Sequence, residues 1–154
     1  LSLHDALPIF EEARFMRLKL EQAVIELACN DFPEKYLFEL ESNINQQKFC
    51  LLKKNYTCAF NLDNSFHELI FKACQKDRIW NSIHFMNGDF DRIRALNIIS
   101  SMNMDIVVDQ HKRIIDAIKA KDSKTGIKIV GEHLTKVNDD KMILLSEYPK
   151  YFKE

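Results

Sequence analysis

Residues 61–74 read NLDNSFHELIFKAC, and this stretch decides the fold. Asp63 and His67 stand four apart, so on a helix they share one face, in line with Ile70 and Cys74. A carboxylate on an apolar stripe needs an explanation, because burying it unpaired costs on the order of several kcal/mol. Two other segments repeat the pattern. His111 opens HKRIIDAI (111–118) in register with Val107, Val108, Ile114, Ile115 and Ile118, and His133 lies in IKIVGEHLTKV (127–137) among Ile129, Val130, Leu134 and Val137. Taken singly, each histidine reads as an ordinary core residue with a hydrogen-bond partner. Taken together, four polar groups from three helices point inward, where helical carbonyls are already bonded and offer few acceptors. One divalent cation would satisfy all four. Three imidazoles and a carboxylate suit Zn, Ni, Mn or Fe and leave coordination positions open for water or a small ligand.

The rest of the chain agrees with a helical frame. Its 154 residues fit one domain that buries roughly two-thirds of its unfolded surface. Three glycines and three prolines are too few for a protein made of many tight β-turns, which favours an all-α fold. Net charge is −1, with no basic arm and no RNA-binding aromatic motif, so this segment carries no nucleic-acid footprint of its own. Cys29, Cys50, Cys58 and Cys74 form no C-x-x-C pair and read as reduced thiols of a cytoplasmic protein. No apolar run reaches the roughly 18 residues of a membrane span, so no membrane partner is expected.

Residues 1–9, LSLHDALPI, lack a starting methionine and resemble a translated sequencing adapter; they are set aside as a non-native leader, leaving 10–154 as the domain. From Phe10 a first helix runs through Met16, Leu20, Ala23, Val24 and Leu27 to Cys29. Pro33 opens a second, through Leu37, Leu40 and Ile44 to about Lys53. The third carries Asp63 and His67. A fourth starts near Asp77 with Ile79, Ile83, Met86, Phe90 and Ile93 on its stripe, the fifth carries His111, and Asp122 caps a sixth that carries His133 and runs towards Leu145. About six amphipathic helices with short breaks pack most economically as an antiparallel bundle, with the third, fifth and sixth converging on one point, where inward side chains of facing helices can build a metal site.

The order D-x-x-x-H, then a histidine in H-x-x-I-x-x-A-I, then a histidine in E-H-L resembles the C-terminal effector-binding (FCD) domain of FadR-type regulators in the GntR family of bacterial transcription factors. The likeness runs from RLKLEQAVIELA through DNSFHELIFKAC to DQHKRIIDAIKAKD and GEHL, nearly the whole credible chain. It implies a helical bundle holding a divalent metal on Asp63, His67, His111 and His133. It also implies a small carboxylate or sugar-acid effector and a homodimer. The first-helix motif R-x-x-x-E is matched by Arg17 and Glu21, and a fourth-helix arginine by Arg94 in FDRIRAL. Arg17, Asn87 and Arg94 border apolar stripes and could grip an anion, a guanidinium holding a carboxylate through two parallel hydrogen bonds. The competing reading pairs Arg17 with Glu21 on the surface and Arg94 with Asp91. Family members often carry an asparagine where this chain reads QKDR. The family's winged-helix DNA-binding domain is absent from this sequence, so DNA is expected as a partner only through that missing N-terminal part.

The expected function is effector sensing, and no enzyme activity is expected. The alternative is a metalloenzyme, since an open three-histidine, one-carboxylate site could activate water or handle oxygen. Iron and manganese superoxide dismutases use that ligand set, but their D-x-x-x-H pair comes late in the chain. No H-E-x-x-H motif supplies a general base, and Glu132 beside His133 would point roughly 100° away.

Overall fold

A computed structural model describes residues 3–88, 91, 94 and 104–147, with side chains for 11–88, 91, 94 and 104–135. Its described residues form six helices: α1 (Leu3–Asn30), α2 (Glu34–Leu52), α3 (Tyr56–Ala73), α4 (Asp77–Met86), α5 (Met104–Lys119) and α6 (Ser123–Glu147). The fold is an all-α bundle, as the apolar periodicity predicts. Helix α1 begins at Leu3, ahead of Phe10 where the regular stripe starts. Helix α4 is shorter than its pattern. It stops at Met86, which is exposed rather than on the core stripe; Asn87 leaves the helix at φ −90° and ψ 9°, and Gly88, Asp91 and Arg94 are helical again. The expected stripe positions Phe90 and Ile93 lie outside the described residues, as do the side chain of Val137 and Pro149.

Three helix ends explain how a chain with so few glycines turns so sharply. Lys54, Gln75 and Lys121 adopt left-handed φ values of 53°, 57° and 54° after α2, α3 and α5. In each case the following amide reaches back to close the last turn: Asn55 N–H to Cys50 O at 2.8 Å, Lys76 to Phe71 at 2.8 Å and Asp122 to Ala117 at 2.9 Å. A non-glycine residue accepts about 1 kcal/mol or more of steric cost there, offset by these carbonyl bonds. The next helices are capped at once. The Asn55 side chain accepts from the Cys58 N–H at 3.0 Å, and Asp122 accepts from the Thr125 N–H and hydroxyl at 3.0 and 2.6 Å.

Helix α1 lies along α6 and α2 along α3, while α5 packs against both α6 and α2. Gly126 permits the first of these contacts. A Cβ there would stand 2.7 Å from Ile25 Cγ2 and 3.6 Å from Cys29 Sγ. The core runs through Val24, Ile25, Leu40, Phe66, Phe71, Ile83, Ile114, Ile118, Ile129 and Leu134. The reading of all four cysteines as free thiols is corrected: Cys50 near the end of α2 is bonded to Cys58 in the first turns of α3, with their Cα atoms 5.9 Å apart. Their spacing matches no recognised motif, and only the turn at Lys54 brings them together. Cys29 and Cys74 are free. Among the described residues no helix is long and apolar enough to cross a membrane.

Candidate metal centre

Asp63 and His67 on α3, His111 on α5 and His133 on α6 converge, with one potential ligating atom from each lying within 4.8 Å of the others. All four are buried, none more than 6% exposed. The inward stripes dictate this meeting. On α3 the buried set Ala59, Asp63, Phe66, His67 and Ile70 is one helical face, and on α5 His111 sits between Val108 and Ile114. His67 Nε2 and His133 Nε2 face each other at 3.1 Å, His111 Nε2 lies 3.3 Å from Asp63 Oδ1, and Phe66 stacks on His111 at 4.1 Å between ring centroids.

The outer contacts state which nitrogens are available. His67 Nδ1 is 2.7 Å from Glu21 Oε2, His111 Nδ1 is 3.1 Å from Gln47 Oε1, and His133 Nδ1 is 3.0 Å from Gln110 Oε1. Three outward Nδ1 atoms thus lie within hydrogen-bond distance of side-chain oxygens, while three Nε2 atoms and Asp63 Oδ1 turn inward. His111 Nε2 has no hydrogen-bond partner. Lone pairs facing one another in a dry interior repel unless a positive charge lies between them. Ligand atoms about 2.1 Å from an ion lie roughly 3 Å apart when adjacent and 4.2 Å when opposite, so the set needs to contract by less than about an ångström to hold a divalent ion. The residues fit the group.

The two expected anion-gripping arginines are buried, at 1% exposure for Arg17 and 4% for Arg94. Both proposed pairings exist, but inside the protein rather than on its surface. Arg17 Nε donates to Glu21 Oε1 at 2.6 Å, and Arg94 Nη1 donates to Asp91 Oδ1 at 2.6 Å and to Asn64 Oδ1 at 2.8 Å. Arg94 Nη2 also grips Asp63 Oδ2, and Asp91 Oδ1 lies 3.7 Å from Arg17 Nη1. Each arginine is therefore one carboxylate away from the histidine cluster. Asn87 is buried, its carbonyl accepting from the Asp91 N–H at 2.7 Å and its side-chain oxygen without a hydrogen-bond partner. Around Glu21, His67, Ile70 and Val130 the void is too narrow for water. A groove of about 690 Å³ lies elsewhere, between the end of α2 and the start of α5, beside Leu52, Tyr56 and Met104.

Sequence reasoning missed Asn43, Gln47 and Gln110 as parts of the site, and gave Glu21 only its motif match and a pairing with Arg17, not its contact with His67. Their signal was an uncharged amide or an acid on an apolar stripe: Asn43 and Gln47 flank Ile44 on the buried face of α2, and Gln110 is buried beside His111.

The family model for the FCD domain matches residues 12–136. The chain belongs to the FCD domain family. Relatives of this FCD domain include the HTH-type transcriptional repressor RspR of Escherichia coli (strain K12), 24% identical over 140 residues that cover 91% of this chain and 61% of that protein. An uncharacterized HTH-type transcriptional regulator in an unstable DNA locus of Streptomyces ambofaciens is 24% identical over 143 residues, covering 92% and 59%. The uncharacterized HTH-type transcriptional regulator YdhC of Bacillus subtilis (strain 168) is 23% identical over 124 residues, covering 80% and 55%. The chain spans about three-fifths of the length of these relatives.

Burial sets the acid response of the FCD domain. Burial pushes the pKa of His111 and His133 below the ordinary 6.5, His133 well below. Burial acts to raise Asp63, but Arg94 and His111 outweigh it and hold its carboxyl well below 3.8; His67 and Arg17 likewise hold Glu21 below 4.5 against burial. An unfolded chain binds protons on these histidines near 6.5 while the native one refuses them, so stability falls as pH drops below 6.5. The carboxylates keep their contribution until the pH falls further. Thermal melts of the metal-free domain should therefore show a falling midpoint between roughly pH 7 and pH 5, with up to about 1.4 kcal/mol lost per pH unit per imidazole. A midpoint that holds steady or rises on acidification would contradict this burial of neutral imidazoles.

Proposed function

We propose that this domain senses a small carboxylate or sugar acid in a cytoplasmic, bacterial GntR-type transcription regulator. A divalent transition metal (Zn, Ni or Mn) on Asp63, His67, His111 and His133 orients the effector, with Arg17, Asn87 and Arg94 as its other contacts. The observation that carries the reading is the convergence of three Nε2 atoms and one carboxylate oxygen, each histidine being fixed from behind by an oxygen acceptor. Charge supports it. Among the described residues Arg17 and Arg94 stand against Glu21, Asp63 and Asp91, an excess of one negative charge when the imidazoles are set aside. A divalent ion turns that into one excess positive charge, which a monocarboxylate balances. Effector binding then shifts the population of helix arrangements, provided the effector prefers one of them. DNA is contacted through a separate N-terminal domain of the intact regulator; the relatives' names, HTH-type transcriptional regulators, support contact with DNA by a part outside this domain. Homodimerisation is supported by Phe38, Phe49 and Leu52, which lie exposed along α2.

The metalloenzyme reading is weaker, because each acceptor near the cluster is already engaged: Glu21 by Arg17 and His67, Asp63 by Arg94. Neither carboxylate is left to act as a general base. Elemental analysis of the purified domain should find close to one transition-metal equivalent per chain, and chelation should lower the melting temperature. At free metal 100-fold above Kd the ion contributes about 2.7 kcal/mol. Absence of metal, with no uptake of added Zn, Ni or Mn, would sink the reading.

A further inference from the structure

We infer that Gln47, itself held by Asn43, is a positioning residue for the metal centre, fixing His111 with its proton on Nδ1 and its Nε2 lone pair aimed inward. This rests on the metal-binding reading above and goes beyond it by assigning residues of α2, a helix that supplies no ligand. One group in this chain of contacts has a role that is not open to choice. The backbone carbonyl of Leu62 only accepts, and Asn43 Nδ2 lies 3.0 Å from it, so the Asn43 amide must point its NH₂ there. Asn43 Oδ1 is then the acceptor for Gln47 Nε2, at 2.7 Å. That leaves Gln47 Oε1 facing His111 Nδ1 at 3.1 Å, and the imidazole must donate. Turning any amide over would set oxygen against oxygen or N–H against N–H inside a dry interior, a cost of about 1–3 kcal/mol per unsatisfied group. Asn43 and Gln47 are 4% and 0% exposed, so water cannot take over either role.

The consequence reaches the ligand set. A neutral imidazole has one proton, and with it on Nδ1 the Nε2 atom carries the lone pair a metal needs. Were the proton on Nε2, it would turn towards Asp63 Oδ1 and occupy the metal's position. Glu21 and Gln110 stand behind His67 and His133 in the same way; Gln47 is in addition tied through Asn43 to a backbone carbonyl of α3, the helix of Asp63 and His67. The relay Leu62, Asn43, Gln47, His111 thus links α3 to α5 by way of α2.

Two measurements on the whole chain test this. Nitrogen-15 NMR of the metal-free protein, recorded above the ordinary histidine range of pH, should show His111 as the Nδ1–H tautomer; an Nε2–H signature would overturn the proposal without reference to any metal. Competition titration with Zn²⁺ should then show Gln47→Met, which keeps length but offers no acceptor, binding about 10–100-fold more weakly. Gln47→Glu, which keeps an acceptor for Nδ1, should recover most of that loss. Equal affinity in Gln47→Met and the natural chain would refute the relay, whereas a natural chain that binds no Zn²⁺ but shows the Nδ1–H tautomer would refute the metal reading alone. If Gln47→Met does not fold, the tautomer measurement on the natural chain still decides.

Discussion

His67→Ala is expected to remove metal binding from this FCD domain, while His84→Ala leaves it intact. His67 presents Nε2 to His133 Nε2 at 3.1 Å and is locked from behind by Glu21, so its loss deletes a donor and leaves a buried carboxylate short of a partner. Loss of an outer-shell contact costs about 10–100-fold in metal affinity, and deletion of a ligand should exceed that range. His84 is the natural control. Its side chain is 64% exposed on α4, and among the described residues Asp91 lies 3.9 Å from it. Metal content after dialysis against one equivalent of Zn²⁺, measured alongside circular dichroism to confirm folding, separates the two variants. A comparable loss in both would remove the four-residue assignment.

Arg94→Met is expected to destabilise the metal-free domain by about 3–5 kcal/mol, the cost of breaking a buried ion pair by removing one partner. Arg94 grips Asp63 Oδ2 and also donates to Asp91 and Asn64, and burial acts to lower its pKa until Asp63 and Asp91 together raise it. Without the guanidinium, Asp63 is left against the histidine cluster, with His111 3.3 Å away and held neutral by burial. Saturating metal should restore part of the loss, since a cation on Asp63 replaces the missing charge. Urea unfolding with and without Zn²⁺ checks both halves. A variant as stable as the natural chain would mean that Arg94 is not the counter-charge that keeps Asp63 ionised.

The fold and the convergence of four buried polar groups were legible because both are written in one code, the 3.6-residue period. Asp63, His67, His111 and His133 announce themselves by being ionisable where Ile70, Ile114 and Ile129 should have company of their own kind. The end of α4 was not legible. Phe90 and Ile93 continue the helical period beyond Asn87, and periodicity is blind to a local break that keeps the phase. The three turns after α2, α3 and α5 could be placed only by their polar residues, since lysine and glutamine carry no left-handed preference of their own. The Cys50–Cys58 bond was hidden for the same reason, being a product of where the chain turns. Gln47 and Gln110 escaped because an uncharged amide on a stripe looks like tolerated surface, and its value lies in a partner distant in sequence.

Among the described residues, the four convergent side chains are no more than 6% exposed, and Glu21, Gln47 and Gln110 behind them are buried too. An ion bound among them would enter as the described helices part, so its exchange would be timed by breathing of the bundle. An ion caught while the chain folds would then leave only as fast as the bundle opens, so its residence would outlast the signal that any effector brings.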